Sequence, residues 1–339
     1  MRILLVGVGN VGRSFLRLVG RGAEGLRKLY GLNLRILAAA DRGGVALSSD
    51  GLKPDEILRI KSLKGTVAAL KPYGRPGMRI LDVLDELEAD ILIDATPTNI
   101  VDGEPSYSII KGAFAHGINV VTVSKGALAL GLPALKELAY HKGVILRFSG
   151  SVGGGLPILE FAKECTLGDR IKSIQGILNG TTNYILTRME EGLNFSEALR
   201  EAQEKGYAER DPILDIKGYD TAAKLVILAN EALNLKVTLS DVRIEGIDEV
   251  DEDWIRTAPK KGMAVRLLGI IDDRLRVQPT EIPASDPLAV KYALNAVSFS
   301  MENSGRHVIV GKGAGGVETA TAILRDLIYI KRSLVGEVA

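Results

Sequence analysis

The chain has 339 residues, 46% hydrophobic and 25% charged, which is enough for two globular domains. A net charge of +1 gives no electrostatic reason to expect a nucleic acid or a membrane surface as partner, and Cys165, the only cysteine, excludes an intrachain disulfide. No run approaches the roughly 18 apolar residues of a spanning helix. No signal peptide is visible either, so we expect a cytoplasmic protein.

The first half of the chain alternates short β-branched runs with helical segments. The strands predicted there are Arg2–Val6, Leu34–Ala40, Ile91–Asp94, Val120–Val123 and Val144–Phe148. The helices predicted between them are Val11–Gly20, Ile57–Lys61, Pro105–His116 and Leu132–His141. This alternation is typical of βαβ units, so we predict an α/β fold with a doubly wound parallel sheet of the Rossmann type.

The pattern changes after Phe148. Four glycines and one proline within Ser149–Pro157 predict a domain junction. We therefore predict two domains, one of residues 1–149 with 316–339 and one of residues 150–315. The last segment, glycine-rich and then helical, is expected to return and pack on the first domain.

The second domain is predicted to be α+β. Asn194 and Glu197 form an N-cap pair that begins a helix, and Gly206 occupies the C′ position after it. The other predicted elements are a helix from Asp220 to Leu235, antiparallel strands Met263–Ile271 and Arg274–Pro279, and a final helix Thr319–Ile330.

A glycine-rich loop follows the first strand and begins the first helix: Gly7-Val8-Gly9-Asn10-Val11-Gly12, a G-x-G-x-x-G sequence. The glycines permit a tight turn, close approach of a pyrophosphate and close packing of helix on strand. With 38 glycines in the chain the pattern alone is weak, but its place between strand and helix is the context a dinucleotide requires. The predicted contacts are Gly7, Gly9, Asn10, Val11 and Gly12; the alternative is an ordinary glycine-rich loop.

The end of the second strand bears on the choice between NAD and NADP. A carboxylate at Asp41 can accept a hydrogen bond from a ribose 2′-OH and favours NAD, whereas Arg42 can pair with a 2′-phosphate and favours NADP. Lys61 is either a second cation for that phosphate or a solvated helix residue. We favour NADP over NAD. Thr96 and Pro97 follow another strand end and are predicted to contact the nicotinamide side, unless they form a simple proline turn.

The richest stretch of ionisable residues is 206–224, GYAERDPILDIKGYDTAAK. Asp220 and Lys224 are four residues apart on one helix face, and the apolar residues that follow indicate a buried helix. A buried lysine beside a carboxylate is suited to protonate a carbonyl oxygen while hydride reaches the carbon. We predict Lys224 as proton donor, with Lys125, just past a strand end, as a second candidate. The alternative for Asp220 and Lys224 is an ordinary surface ion pair, and the alternative for Lys125 is an exposed loop lysine.

Residues 202–224 also fit the homoserine dehydrogenase signature A-x3-G-Y-A-x2-D-P-x2-D-I-x-G-x-D-x3-K at every defined position. Matching segments along the chain are GVGNVG at 7–12, TPTN at 96–99, GEP at 103–105, VVTVSKGAL at 120–128, SVGGGLPI at 151–158, GILNGTTNYIL at 176–186 and GAGGVETATAILRDL at 313–327. The chain therefore resembles that family, in a short form without a regulatory extension. The resemblance implies NAD(P)-dependent interconversion of L-aspartate 4-semialdehyde and L-homoserine, in the aspartate pathway to threonine, methionine and isoleucine.

The same resemblance implies residue roles. Lys224 is similar to the family's catalytic lysine, Asp220 to its partner carboxylate and Lys125 to a second lysine of proton transfer. The implied substrate contacts are Glu209, Asp215, Tyr207, Gly180 and Thr181, and Ser124 and Gly315 complete the cofactor contacts. It also implies a homodimer, with residues 150–315 serving catalysis and dimerisation.

One departure concerns a monovalent cation. Many family members have a glutamate where this chain has Ser149, and that glutamate helps bind the cation. A neutral serine predicts a weaker or absent sodium site, with backbone carbonyls at Val152 and Gly155 as candidate ligands.

Two other functions stay open on the sequence. One is a non-catalytic NADP(H)-binding regulatory protein, which would not need the catalytic stretch that this chain keeps. The other is an oxidoreductase acting on a different amino-acid semialdehyde, which only Glu209, Asp215 and the pocket walls would distinguish.

Overall fold

The computed structural model describes residues 1–336, which form two units. Unit 1 is Met1–Ser151 together with the segment that begins at Gly315, and unit 2 is Val152–Ala314. In the described residues no helix is both long and apolar enough to cross a membrane.

Unit 1 contains a seven-stranded sheet with helices packed on it. Its strands are β1 (Arg2–Val6), β2 (Arg35–Asp41), β3 (Gly44–Leu52), β4 (Gly74–Pro76), β5 (Ile91–Asp94), β6 (Asn119–Thr122) and β7 (Leu146–Arg147). Its helices are α1 (Asn10–Tyr30), α2 (Pro54–Lys64), α3 (Ser106–Ala115), α4 (Gly126–Lys142) and α11 (Gly316–Leu334). The strand order is β4-β3-β2-β1-β5-β6-β7. The neighbouring strands β2, β1, β5, β6 and β7 are parallel to one another. The predicted Rossmann-type architecture is confirmed.

The core of unit 1 joins the two ends of the chain. Ile3 and Leu5 of β1 are fully buried in one cluster with Ile323 and Leu327 of α11. Burying such aliphatic side chains stabilises by about 1.5–3 kcal/mol each, so α11 is part of this core.

Unit 2 contains a six-stranded sheet. Its strands are β8 (Ile171–Ile177), β9 (Val242–Ile244), β10 (Met263–Ile271), β11 (Leu275–Pro283), β12 (Leu294–Met301) and β13 (Arg306–Lys312), in the order β13-β12-β8-β10-β11-β9. Its helices are α5 (Ile158–Glu160), α6 (Gly180–Glu190), α7 (Phe195–Glu204), α8 (Ile213–Ile216), α9 (Tyr219–Leu233) and α10 (Glu252–Thr257). All neighbouring strands are antiparallel except β9 and β11.

Several elements differ from their predicted form. The antiparallel pair β3 and β4 extends the first sheet and was not predicted, because the SSDG run within β3 has a turn-like composition. Helix α1 continues ten residues beyond the predicted end at Gly20, to Tyr30. The capping box of Asn194 and Glu197 is present as predicted.

Candidate active site

Lys224 lies at the centre of a polar group in unit 2. It projects from the first turns of α9, a helix whose residues 221–231 are buried, and is itself only 7% exposed. Its Nζ lies 2.7 Å from Asp220 Oδ2 and donates to the backbone oxygen of Leu178 at 2.6 Å. The four-residue spacing of a helix thus places carboxylate and ammonium together, and Leu178, directly after β8, holds the ammonium through its backbone oxygen.

Asn179 joins this group and was missed by the sequence analysis. Its Nδ2 donates to Asp215 Oδ1 at 2.6 Å and to Asp220 Oδ2 at 2.8 Å, so one amide bridges two carboxylates. Its Oδ1 accepts from the backbone nitrogen of Thr182, which makes Asn179 the N-cap of α6. The available signal was its place in the matched segment at 176–186, directly before the predicted contacts Gly180 and Thr181.

The other predicted substrate contacts are placed unequally. Thr181 Oγ1 donates to the backbone oxygen of Tyr207 at 2.6 Å, so these two residues meet at the start of α6. Gly180 lies against Ala293, the residue before β12, and a Cβ on Gly180 would come within 2.8 Å of the Ala293 oxygen. Glu209 is exposed in the turn before α8, and within residues 1–336 no hydrogen bond ties its carboxylate to the Lys224 group.

The glycine loop of unit 1 fits a dinucleotide. Gly7 has φ +91°, and a Cβ there would lie 2.3 Å from the Ala95 oxygen. A Cβ on Gly12 would lie 2.1 Å from the Gly7 oxygen, so only glycine allows α1 to approach the loop. At Gly9 a Cβ would meet nothing within 4 Å, which leaves the backbone open at the start of α1. Open backbone at a helix N-terminus is what a pyrophosphate requires.

Three further predicted cofactor residues line the same region of unit 1. Asn10 and Val11 form the first turn of α1. A Cβ on Gly316 would lie 2.7 Å from Asn10 Oδ1, so the start of α11 with Gly315 is close to that turn.

Asp41 does not present a free carboxylate. Its two oxygens accept four hydrogen bonds, from Lys61 Nζ at 2.6 Å, Thr66 Oγ1 at 2.7 Å, and the backbone nitrogens of Val67 and Gly43 at 2.9 Å each. Burial alone would raise the pKa of Asp41, but these donors outweigh it and hold the pKa below its usual value. Lys61 is therefore bound to Asp41.

Arg42 differs from its neighbour. It is exposed directly after β2, at the carboxyl end of the strand. Of the three residues predicted to decide between NAD and NADP, it is the one whose charge faces solvent there.

Two loops at the ends of β5 and β6 are joined to each other. The backbone nitrogen of Lys125 donates to Thr98 Oγ1 at 3.2 Å, and Ser124 Oγ donates to the Pro97 oxygen at 3.5 Å. The predicted contacts Thr96, Pro97, Ser124 and Lys125 are thus brought together.

Ser149 is committed to a hydrogen bond within unit 1. Its hydroxyl donates to Asp326 Oδ1 at 2.5 Å and its backbone nitrogen to Asp326 Oδ2 at 2.9 Å. Arg147 Nε lies 3.0 Å from the same carboxylate, which is fully buried. Of the candidate carbonyl ligands, Val152 is buried and Gly155 half-buried. In residues 1–336 no group of three or more His, Cys, Asp or Glu side chains is arranged for a metal ion.

Comparisons with known proteins match nearly the whole chain. The family models described as homoserine dehydrogenase, NAD binding domain, and homoserine dehydrogenase match residues 7–149 and 157–328. A homoserine dehydrogenase of Methanocaldococcus jannaschii is 42% identical, over 98% of this chain and 99% of the relative. An NAD(+)-dependent homoserine dehydrogenase of Pseudomonas canavaninivorans is 38% identical, over 98% and 96% respectively. The solved structure of a hyperthermophilic archaeal homoserine dehydrogenase in complex with NADPH has a TM-score of 0.86 and 28% identity, covering 98% of both chains.

Proposed function

Because the chain belongs to the homoserine dehydrogenase family, we propose that Lys224 transfers the proton in the NAD(P)-dependent interconversion of L-homoserine and L-aspartate 4-semialdehyde. The observation that carries this proposal is the buried ammonium held by Asp220 and Leu178. An ammonium has three donors, and these two partners take two of them. The third N–H is left for the substrate oxygen.

The direction of the reaction decides what Lys224 does. When the aldehyde is reduced, its third N–H gives a proton to the carbonyl oxygen; when homoserine is oxidised, the neutral amine accepts the hydroxyl proton. Asp220, 2.7 Å from Lys224 Nζ, orients that nitrogen. The bound nicotinamide supplies hydride transfer to or from the neighbouring carbon.

The carboxylates of unit 2 fit the amino-acid end of the substrate. An ammonium group needs acceptors, and Asp215 lies in the Lys224 group with one oxygen fixed by Asn179. Glu209 is a second acceptor on the exposed turn, and Gly180, Thr181 and Tyr207 form the neighbouring wall at the start of α6. Lys125 in unit 1 is proposed to assist proton transfer.

The activity is tested by following nicotinamide absorbance with L-homoserine, using NAD and NADP separately. The expected result is reduction of the nicotinamide that depends on homoserine. No absorbance change with either cofactor, in folded protein free of bound nucleotide, would support the non-catalytic regulatory alternative. A higher kcat/KM with another amino-acid alcohol would instead assign a different semialdehyde.

We propose NADP over NAD because the acid that would select NAD is already occupied. All four acceptor positions of Asp41 are used within the protein, so its carboxylate has none for a ribose 2′-OH. Exposed Arg42 next to it offers a guanidinium to a 2′-phosphate. The named cofactors of relatives differ, so this argument rests on the chain's own residues.

Replacing Arg42 with alanine should raise KM for NADP by about 10-fold or more and leave KM for NAD nearly unchanged, because one charge-assisted contact to phosphate is lost. Arg35→Ala is the matched control, an exposed arginine at the opposite end of β2. Equal effects of Arg42→Ala on both cofactors would contradict the proposal.

We also propose that catalysis does not require a monovalent cation. The position that would supply a carboxylate holds Ser149, and the nearby charge of Asp326 is balanced by Arg147. Backbone carbonyls at Val152 and Gly155 alone bring no negative charge to a cation.

Activity and thermal midpoint should therefore be the same in sodium chloride and in choline chloride at equal ionic strength. A rise in kcat with sodium that saturates, and that potassium or choline does not reproduce, would show that the carbonyls bind the cation without a side-chain carboxylate.

A homodimer and a cytoplasmic location belong to the same proposal. The sheet of unit 2 ends in β13 and β9, and pairing of two copies is one way in which proteins protect such edges.

A further inference from the structure

Asp94 is a fully buried carboxylate at the end of β5. Oδ1 accepts from the backbone nitrogen of Thr96 at 3.0 Å and from its hydroxyl at 2.6 Å. Oδ2 accepts from the hydroxyls of Thr122, at 2.8 Å, and Ser106. All its hydrogen-bond donors in the described chain are neutral. Buried acids are usually paired with a charged group, so the burial of this carboxylate is not explained by an ion pair.

The hydrogen bonds lead from Asp94 to Lys125 in a fixed direction. The hydroxyl oxygen of Thr122 accepts from the backbone nitrogen of Ser124 at 3.1 Å, so its own proton is available for Asp94. Because a carboxylate accepts at both oxygens, it sets the orientation of that hydroxyl, and the hydroxyl sets the turn that carries Lys125. Thr122 is fully buried and Ser124 almost so, and water therefore cannot replace these hydrogen bonds.

The same carboxylate holds the facing loop. Its bonds to Thr96 fix the start of residues 95–99, and Thr98 of that loop accepts from the backbone nitrogen of Lys125. In the register of the sheet Asp94 is paired with Thr122, so the two loops leave neighbouring strands at the same level. Two sets of hydrogen bonds therefore connect Asp94 to Lys125, one through Thr122 and one through the loop 95–99.

We propose that Asp94 is a positioning residue for catalysis: acting through Thr122, it places Lys125 and the loop 95–99 for the reaction. This inference rests on the proposed role of Lys125 in proton transfer. Misplacing a reacting group by about 1 Å can cost about 100-fold in rate, so the chain Asp94–Thr122–Ser124 has a measurable effect.

The test removes the hydroxyl that connects Asp94 to the Lys125 turn. Thr122→Val should lower kcat for homoserine oxidation by about 10- to 100-fold, with a small effect on KM for the cofactor. Thr122→Ser, which keeps the hydroxyl, should restore most of the rate. Ser106→Ala is the matched control, because it removes the other hydroxyl from the same oxygen but leads only to α3.

A combination with Lys125→Ala separates this inference from its premise. If Lys125→Ala lowers kcat and Thr122→Val adds no further loss in that background, the two act in one chain and the inference is supported. A normal kcat in Thr122→Val, or equal losses in Thr122→Val and Ser106→Ala, overturns the positioning role but leaves that of Lys125. A normal kcat in Lys125→Ala removes the role of Lys125 itself, and with it the inference.

Discussion

Lys224→Ala should lower kcat for homoserine oxidation by about 100- to 10,000-fold, the contribution of a positioned general acid–base group. Alanine removes the ammonium that Asp220 holds 2.7 Å away and that is proposed to carry the proton to the substrate oxygen. Cofactor binding, measured by nucleotide fluorescence, should change little because the glycine loop belongs to unit 1.

The control for this variant is another lysine paired with a carboxylate on the same helix. Lys163 Nζ lies 2.8 Å from Glu231 Oε1, near the carboxyl end of α9. Lys163→Ala should keep kcat near the wild-type value. Near-normal turnover of Lys224→Ala would disprove the assignment of the proton donor.

Asn179→Ala should lower kcat/KM for homoserine by about 10- to 100-fold, since each truncated hydrogen bond to a charged group is worth about 1.5–3 kcal/mol. Without the amide that bridges them, Asp215 and Asp220 repel each other and lose the geometry that holds substrate and Lys224. Loss of the N-cap also lowers the free energy of unfolding by about 0.5–2 kcal/mol.

A second asparagine separates the two effects of that change. Asn194 caps α7 in the same way, since its Oδ1 accepts from the backbone nitrogen of Glu197, but its bonds are to Glu197 and not to the Lys224 group. Asn194→Ala should show the loss of stability, measured by denaturant unfolding, without the loss of kcat/KM. If both variants lose activity equally, Asn179 is only a cap.

The sequence predicts features set by local periodicity and misses those set by distant pairing. The four-residue spacing of Asp220 and Lys224 and the apolar residues after them predicted the buried ion pair. Asn179 was missed because its two carboxylate partners lie 36 and 41 residues away and meet it only in the folded unit.

Asp41 shows the same limit from the other side. Its position after β2 correctly predicts a residue at the carboxyl edge of the sheet. The donors that occupy it come from residues 61–67, in a helix end and a turn whose return to this edge no local pattern indicates. The sequence shows which groups an aspartate could bind, but not which distant residues of the same chain already donate to it.

The contribution of α11 to the core of unit 1 has a consequence for biosynthesis. Residues 1–151 leave the ribosome first, yet the cluster around Ile3 and Leu5 is completed by Ile323, Leu327 and Ile330. Unit 2, continuous from Val152 to Ala314, has all its strands available before α11 is made. Because domains generally fold as units during synthesis, residues 1–151 keep apolar surface exposed while unit 2 forms and until α11 has been made. We therefore expect the growing chain to need a chaperone most during this period.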